Sequence, residues 1–165
     1  MSTGKAEDIL GEEKVQNTGK APNRSPRHRA RELALQGIYQ WRITAGDEAK
    51  IEKQIHAEKN LGRYDKDLFS RLLRGALGGH ADLEALIIPH LDRPLDELSP
   101  VEFAILLLGT FELAKNIEVP YKVVINESVE LAKTFGGTDG HKFVNGVLDK
   151  LAPQLRAREF AARIS

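Results

Sequence analysis

The fold of this chain is decided between Pro120 and Pro153, where the sequence reads PYKVVINESVELAKTFGGTDGHKFVNGVLDKLAP. Apolar residues recur there at three- and four-residue spacing, which is the spacing of one helical face. Pro120 suits a helix start, Gly136 and Gly137 favour a helix end, and Pro153 limits a second helix. YKVVI alone is also typical of a β-strand, but the apolar pattern continues well beyond it at helical period. The stretch therefore predicts two amphipathic helices joined by a glycine turn, whose apolar positions are Val124, Ile125, Ser128, Val129, Leu131, Ala132, Phe135, Phe143, Val144, Val147, Leu148 and Leu151.

The composition is that of one compact domain. The 165 residues are 41% hydrophobic and 29% charged, which supplies a core and a solvated surface. Lys and Arg together number 24, as do Asp and Glu, so any nucleic-acid site has to be a local basic patch. The absence of cysteine excludes disulfides, thiolate zinc sites and cysteine nucleophiles. The first residues lack an apolar signal segment and no apolar run approaches the roughly 20 residues that span a bilayer, so we expect a cytoplasmic protein.

The two ends of the chain differ from its centre. Residues 1–25 are polar, show no sustained period and are expected to be disordered. Acidic residues come early in this tail, whereas all the charged residues from Lys20 to Arg31 are basic. A helical domain is predicted over residues 26–153. Residues 154–165 again carry arginine and are read either as a frayed helix or as a basic C-terminal tail.

The first helix is predicted from Ser25, as N-cap, to about Ile43. Its apolar stripe centres near Ala30 and Trp41, which places Trp41 inward and Tyr39 on the opposite side. An outward Tyr39 sharing a helix flank with arginines suits RNA, because bases stack on aromatic rings while guanidinium groups bind phosphate. The alternative is that another helix or the tail covers Tyr39. The arginines in question are Arg27, Arg31 and Arg42.

Further helices are predicted after a break at residues 44–47 and before Pro120. Asp65 or Asp67 caps one of them, and Pro89 kinks or ends another. Ser99-Pro100-Val101-Glu102 forms a capping box with proline at the first helical position. The FAILLLG segment that follows is apolar on every side, which predicts a central helix. Phe103 and Leu107, one turn apart on it, are either ordinary core residues or part of a partner surface.

The motifs of catalysis and cofactor binding are missing from the sequence. The five histidines have no HExxH spacing, and no dinucleotide, phosphate-loop or serine-hydrolase glycine motif occurs. No cofactor or metal is therefore expected. GGTDGHK is a loop followed by a helix start, and amide groups there attract anions, with Lys142 adding positive charge. A phosphate contact at this turn is one possibility.

Three blocks of the sequence resemble the NusB family of bacterial transcription antitermination factors: RHRARELALQGIYQW, LSPVEFAILLLGTFELA and VPYKVVINESVELAKTFGGTDGHKFVNGVLDKLAP. The resemblance runs from about Arg27 to Pro153. It implies an all-α bundle of about seven helices in two packed three-helix units. It also implies a non-enzymatic function, the binding of boxA RNA together with the ribosomal protein NusE in support of ribosomal RNA transcription by the elongation complex.

The resemblance also implies site residues. The family's arginine-rich motif maps onto Arg27, Arg29 and Arg31, with His28 replacing what is often arginine, and its first-helix aromatic maps onto Tyr39. The RNA surface extends to the last helix start at Asp139, Lys142 and Phe143, where Asp139 is expected to cap the helix or hold Lys142. Glu102 falls in a region the family uses near its protein partner, although its capping role explains it equally well.

Two positions depart from the family pattern, since Phe103 and Leu107 stand where many members have basic residues. Exchanging charge for an apolar pair predicts a self-association surface and a possible homodimer. Two rival functions are considered. One is an RNA-binding module of the kind attached to ribosomal RNA cytosine methyltransferases, and the other is a helical adaptor that binds only protein.

Overall fold

The structure, a computed structural model, describes residues 25–164. This part of the chain forms eight α-helices and contains no β-strand, which confirms the predicted all-α fold. The predicted disordered tail, residues 1–25, lies outside the described residues apart from Ser25. None of the helices in residues 25–164 has the length and apolar character needed to cross a membrane. The helices are α1 (Pro26–Thr44), α2 (Glu48–His56), α3 (Lys66–Gly78), α4 (His80–Ile87), α5 (Pro100–Lys115), α6 (Tyr121–Phe135), α7 (Gly140–Leu155) and α8 (Ala157–Ile164).

Local capping signals in the sequence fix where helices begin. The Ser25 hydroxyl accepts a hydrogen bond of 3.0 Å from the His28 amide at the start of α1. Asp65 accepts one of 2.9 Å from the Leu68 amide at the start of α3. At the start of α5 the Ser99 hydroxyl accepts from the Glu102 amide at 3.1 Å, and the Glu102 carboxylate accepts in return from the Ser99 amide at 3.4 Å. The predicted caps, including the capping box, are confirmed.

Helix α5 is the centre of the bundle. It packs against α1, α3 and α4 on one side and against α6 and α7 on the other, and all its residues from 103 to 110 are buried. Gly109 allows the close approach of α6, because a Cβ atom there would lie 2.8 Å from the Ser128 hydroxyl oxygen. The prediction of a central helix is confirmed. Helices α1, α2 and α3 pack together on one side of it, and α6 pairs with α7 on the other.

The C-terminal segment is helical, which decides between the helix and the basic tail considered for it, and the prediction that Pro153 limits the preceding helix is wrong. Helix α7 continues through Pro153 to Leu155, and α8 follows it. Pro153 is tolerated because the carbonyl it leaves without an amide partner belongs to Asp149, which is exposed to water. Arg156, between the two helices, is buried and donates hydrogen bonds to the carbonyls of Leu113 at 2.7 Å, Glu112 at 3.1 Å and Asn116 at 3.2 Å. An arginine assigned to a tail thus caps the C-terminus of α5.

The predicted orientation of Tyr39 is wrong. Only 6% of Tyr39 is exposed, whereas Trp41 is half-buried and packs against the tilted His80 ring with centroids 4.7 Å apart. The helical wheel assumed one apolar stripe, but α1 packs against α2, α3 and α5 and is buried from Ala30 to Gln40 except at Gln36. A helix enclosed on several sides has no broad outward face on which an aromatic ring can bind a base.

The apolar surface predicted at Phe103 and Leu107 does not exist. Both side chains are fully buried, and the guanidinium carbon of Arg42 lies 4.1 Å from the centre of the Phe103 ring. The two residues belong to the core because α1 covers the side of α5 that carries them. They offer no partner or self-association surface.

The burial of Tyr39 predicts a stability effect. Tyr39→Ala should lower the free energy of unfolding by about 3 kcal/mol, because it leaves a cavity between packed helices. Trp41→Ala, at a half-buried position, should lower the free energy of unfolding by less. Urea denaturation followed by circular dichroism measures both values. A larger loss for Trp41→Ala would show that the indole, and not the phenol, is the buried ring.

Candidate nucleic-acid interface

The basic motif at the start of α1 contains side chains in three different environments. Arg27 is exposed and makes no ion pair with any residue between 25 and 164. His28 and Arg29 are half-buried, and Arg31 is only 3% exposed. Successive positions on a helix point in different directions, so an arginine-rich stretch is divided between solvent and core. The structure leaves Arg27 as the arginine of this motif that is open to a ligand.

Arg31 forms a buried ion pair with α5. Its Nε donates to Glu112 Oε1 at 2.7 Å and its Nη2 donates to Oε2 at 3.0 Å. Asn116 donates to the same Glu112 Oε2 at 2.9 Å. Burial alone would lower the pKa of Arg31, but its hydrogen bonds and charge interactions with Glu112 and Glu127 outweigh that effect and raise the pKa. The prediction that Arg31 lies on an exposed flank is therefore wrong.

Glu127 of α6 joins this network at the surface. Its Oε1 lies 3.0 Å from His28 Nδ1 and accepts from Arg31 Nη1 at 3.4 Å. Burial would raise the pKa of Glu127, but hydrogen bonding and charge from His28, followed by those from Arg31, hold the pKa below its usual value. His28 Nε2 also lies 3.5 Å from Glu32 Oε2. His28 is thus directed toward two carboxylates of its own chain.

Arg29 is directed toward the connection between α2 and α3. Its Nε donates to the Leu61 carbonyl at 2.8 Å and its Nη1 to Glu32 Oε1 at 3.1 Å. The predicted phosphate-binding arginine therefore holds a loop in place. This contact joins residues far apart in sequence, and periodicity could not have shown it.

Asp139, Lys142 and Phe143 form a second group at the start of α7. The Lys142 ammonium lies 3.5 Å from Asp139 Oδ1, and both side chains are about three-quarters exposed (73% and 76%). The Asp139 side chain makes no capping hydrogen bond, so of its two expected roles the structure places it beside Lys142. Phe143 is half-buried, and the guanidinium carbon of Arg93 lies 4.6 Å from the centre of its ring. One face of Phe143 is therefore covered.

The two groups lie near opposite ends of α5. Arg31 contacts Glu112 in its last turns, whereas a Cβ atom at Gly140, in the first turn of α7, would lie 3.5 Å from Glu102 Oε2 in the first turn of α5. Glu102 and Glu112 are ten residues apart, which is about 15 Å along a helix. At about 3.4 Å per nucleotide of a duplex strand, a short strand covers that distance.

The sequence did not identify Glu112 and Glu127, the two carboxylates that bind side chains of the basic motif. A signal for Glu112 was present, because an acidic residue beyond the first turn of a helix that is apolar on every side requires a buried cation. Glu127 offered no such signal, since it lies among polar residues of α6. Within residues 25–164 no three His, Asp or Glu side chains are grouped so as to hold a metal ion.

The described residues define an all-helical protein with a basic start of α1, and comparison with known proteins identifies the family. The model of the NusB family matches residues 28–153. The chain belongs to the NusB family.

Named relatives and solved structures agree with this assignment. The transcription antitermination protein NusB of Ralstonia nicotianae is 56% identical over 144 residues, which cover 87% of this chain and 93% of that protein. NusB of Ralstonia pickettii is 51% identical over 154 residues, covering 93% and 99%. The structure of T. maritima NusB superposes with a TM-score of 0.73 at 30% identity, covering 84% of this chain and 99% of that one.

A chain in a crystal structure of antitermination factors NusB and NusE with dsRNA superposes with a TM-score of 0.69 at 28% identity, covering 77% of this chain and 96% of that chain. These relatives carry the name of an antitermination protein and not of a methyltransferase. The expectation of a non-enzymatic protein is confirmed by this membership.

The buried ion pair predicts an asymmetry between arginines. Arg31→Ala should lower the free energy of unfolding by about 3–5 kcal/mol, because it leaves the Glu112 carboxylate buried without its cation. Arg27→Ala, at an exposed position, should change it by less than about 0.5 kcal/mol. Chemical denaturation of the two variants measures the difference. Equal stability of the two variants would contradict the role given to Arg31.

The lowered pKa of Glu127 predicts a pH dependence of stability. A carboxyl group whose folded-state pKa is depressed stabilises the fold above its unfolded value of 4.5, and this contribution is lost as pH falls through the folded-state pKa. Glu127→Gln should therefore be less stable than the parent protein at neutral pH. The gap should close as pH falls below 4.5. Urea titrations across this range measure it, and a gap that does not vary with pH would contradict the assignment.

Proposed function

We propose that this protein is a transcription antitermination factor that binds boxA-type RNA together with the ribosomal protein NusE and supports ribosomal RNA transcription. The observation that carries the proposal is the match of the NusB family over residues 28–153, which includes most of both candidate groups. The similarity to a NusB chain crystallised with NusE and dsRNA supports both partners. As part of a transcription elongation complex, the protein would act in the cytoplasm.

Arg27 and Lys142 are the proposed phosphate contacts. Both are exposed, and a flexible cation at a helix start adds to the positive end of the helix dipole. Asp139 holds Lys142 near the turn, and Phe143 adds half-exposed aromatic surface beside it. The RNA strand would run between the two ends of α5. Arg31 and Tyr39 shape this surface from within.

Glu102 is the proposed contact for the protein partner. It is half-exposed at the start of α5, and its carboxylate accepts only a long capping bond of 3.4 Å. Its acidic charge suits a basic ribosomal protein. Because Phe103 and Leu107 are buried, a homodimer would need a different surface from the one expected from the sequence.

An RNA titration tests the function. Fluorescence anisotropy with labelled boxA-type RNA should show binding that is tighter than to a scrambled RNA of the same length and that strengthens when NusE is added. Binding should weaken steeply with salt, because neutralised phosphates release counterions. A purely protein-binding adaptor would bind NusE and neither RNA. Equal affinity for the two RNAs would remove the sequence-specific part of the proposal.

Arg27→Ala is expected to reduce RNA affinity without affecting folding. Loss of one phosphate contact should lower the slope of log affinity against log salt by between about 0.7 and 1 unit. Lys133→Ala, an exposed lysine of α6, is the matched control and should leave the slope unchanged. Anisotropy at several salt concentrations gives both slopes. If the two variants behave alike, Arg27 is not a phosphate contact.

A further inference from the structure

The connection between α2 and α3, residues 57–65, lies against the start of α1. Arg29 Nε donates to the Leu61 carbonyl at 2.8 Å, and the Asp65 amide donates to the Pro26 carbonyl at 3.0 Å. Two hydrogen bonds between distant parts of the chain thus hold the connection beside the exposed Arg27. The loop is part of the same surface as the basic motif.

The shape of the loop turns its basic side chains outward. Asn60 and Gly62 adopt left-handed conformations with φ of 63° and 75°, which bend the chain sharply twice. Tyr64 is half-buried, with its hydroxyl 2.8 Å from His56 Nδ1 and its ring edge-on to Phe69 at 6.0 Å between centroids. Because Tyr64 occupies the inward direction, the residues around it face solvent.

Three exposed basic side chains lie in this loop and at the first residue of α3. Residues 59–66 contain Lys59, Arg63 and Lys66 against one acidic residue, Asp65. All three basic side chains are exposed, and none makes an ion pair within the described part of the chain. The Asp65 carboxylate is engaged by the Leu68 amide. In a chain with no net charge, three exposed cations without an ion-pair partner in the described residues lie beside Arg27, where they can contact a polyanion.

The flanking acidic residues do not fully cancel this positive charge. Glu58 Oε1 accepts from Gln36 Nε2 at 3.3 Å, which directs it toward α1. Asp67 is exposed in the first turn of α3, where a carboxylate is favoured by the helix dipole. The four cations Arg27, Lys59, Arg63 and Lys66 stand against the three carboxylates of Glu58, Asp65 and Asp67, which leaves an excess of one positive charge.

We propose that the α2–α3 loop, together with the first residue of α3, is a second phosphate-binding segment of the RNA surface, in which Lys59, Arg63 and Lys66 contact the backbone of single-stranded RNA. Arg29 is a positioning residue that holds the loop beside Arg27. This inference rests on the proposed RNA-binding function. It extends the nucleic-acid surface from the start of α1 to the start of α3.

The chemistry of these side chains suits phosphate and not base recognition. Arg63 presents a planar fork of donors, and the two lysines present flexible point charges. The loop has no exposed aromatic ring, since Tyr64 is half-buried and bonded to His56. The segment should therefore raise affinity for RNA of any sequence and contribute little to the preference for boxA-type RNA.

The test removes Lys59 and Arg63, the two basic side chains of the loop. In the full chain, Lys59→Ala combined with Arg63→Ala should weaken binding of labelled single-stranded boxA-type RNA about tenfold and lower the salt slope by about 1.4 units, at about 0.7 per single-strand contact. Affinity for a scrambled RNA should fall by the same factor. Arg63→Glu should weaken binding further, because it adds repulsion. Circular dichroism should show unchanged melting, since both side chains are exposed.

The matched control removes two exposed lysines from other helices. Lys133→Ala combined with Lys150→Ala makes the same change in net charge on α6 and α7. It should leave the RNA salt slope close to that of the parent protein. An equal loss in the control would mean that only total charge matters, which would overturn a loop-specific contact.

The positioning role of Arg29 has its own readout. Arg29→Lys keeps the charge but loses the Nε donor to Leu61, so amide hydrogen exchange across residues 59–65 should become faster. Lys59→Ala and Arg63→Ala, introduced together into the Arg29→Lys variant, should reduce RNA affinity by a smaller factor than the same two changes do in the parent protein. The reason is that the loop is already released when Arg29 is changed. Full additivity would overturn this role.

Failure of the inference and failure of the function are distinguishable. If the parent protein binds neither RNA, with or without NusE, the proposed function itself is wrong. If the parent protein binds RNA and the loop variant binds equally well, the function stands and the loop inference is wrong. Loss of NusE binding with RNA binding intact would assign the loop to the protein partner and would also overturn the inference.

Discussion

The buried ion pair between Arg31 and Glu112 is the constraint on which the arrangement of this molecule depends. Helix α5 is apolar on nearly every side and carries one acidic side chain into the core, where an unpaired carboxylate would be expensive. A bidentate guanidinium from α1 compensates it. Because that geometry is specific, the pair fixes both the register and the rotation of α1 against α5.

The rotation of α1 decides which parts of the basic motif remain available. With Arg31 turned into the core, Arg29 lies toward the α2–α3 loop and His28 toward Glu127. Arg27 is left in solvent. The motif is therefore not a row of equivalent phosphate contacts. Arg31 belongs to the core, Arg29 holds a loop and Arg27 is exposed. Because the motif itself exposes only one arginine, further exposed positive charge has to come from neighbouring segments.

These neighbouring segments add exposed cations beside Arg27, and this is the surface that we propose for RNA binding in a chain without net charge. The cations of the α2–α3 loop join Arg27 at one end of α5, and Lys142 lies at the other. Acidic residues near the start of α5, such as Glu102, suit contact with a basic protein. RNA and protein contacts can thus be adjacent along one central helix, as expected for a factor that binds both together.

Features set by neighbours in sequence were predictable, and features set by packing were not. The caps at Ser25 and Ser99 and the apolar character of α5 follow from spacings of a few residues. The predicted orientation of Tyr39 was wrong, because a helical wheel cannot show that three helices enclose α1. Phe103 and Leu107 were left open between core and surface, and the packing of α1 over α5 resolves that choice.

The sequence by itself determined most of the helices, their order and the family, because capping and helical periodicity are local, but it left the segment after Pro153 open between a helix and a tail. It could also locate basic residues along the chain. Only the tertiary structure decided which of them face solvent, since burial and ion pairing join residues such as Arg31 and Glu112 that are far apart in sequence. The same is true of the α2–α3 loop, which becomes part of the basic surface only through its hydrogen bonds to α1.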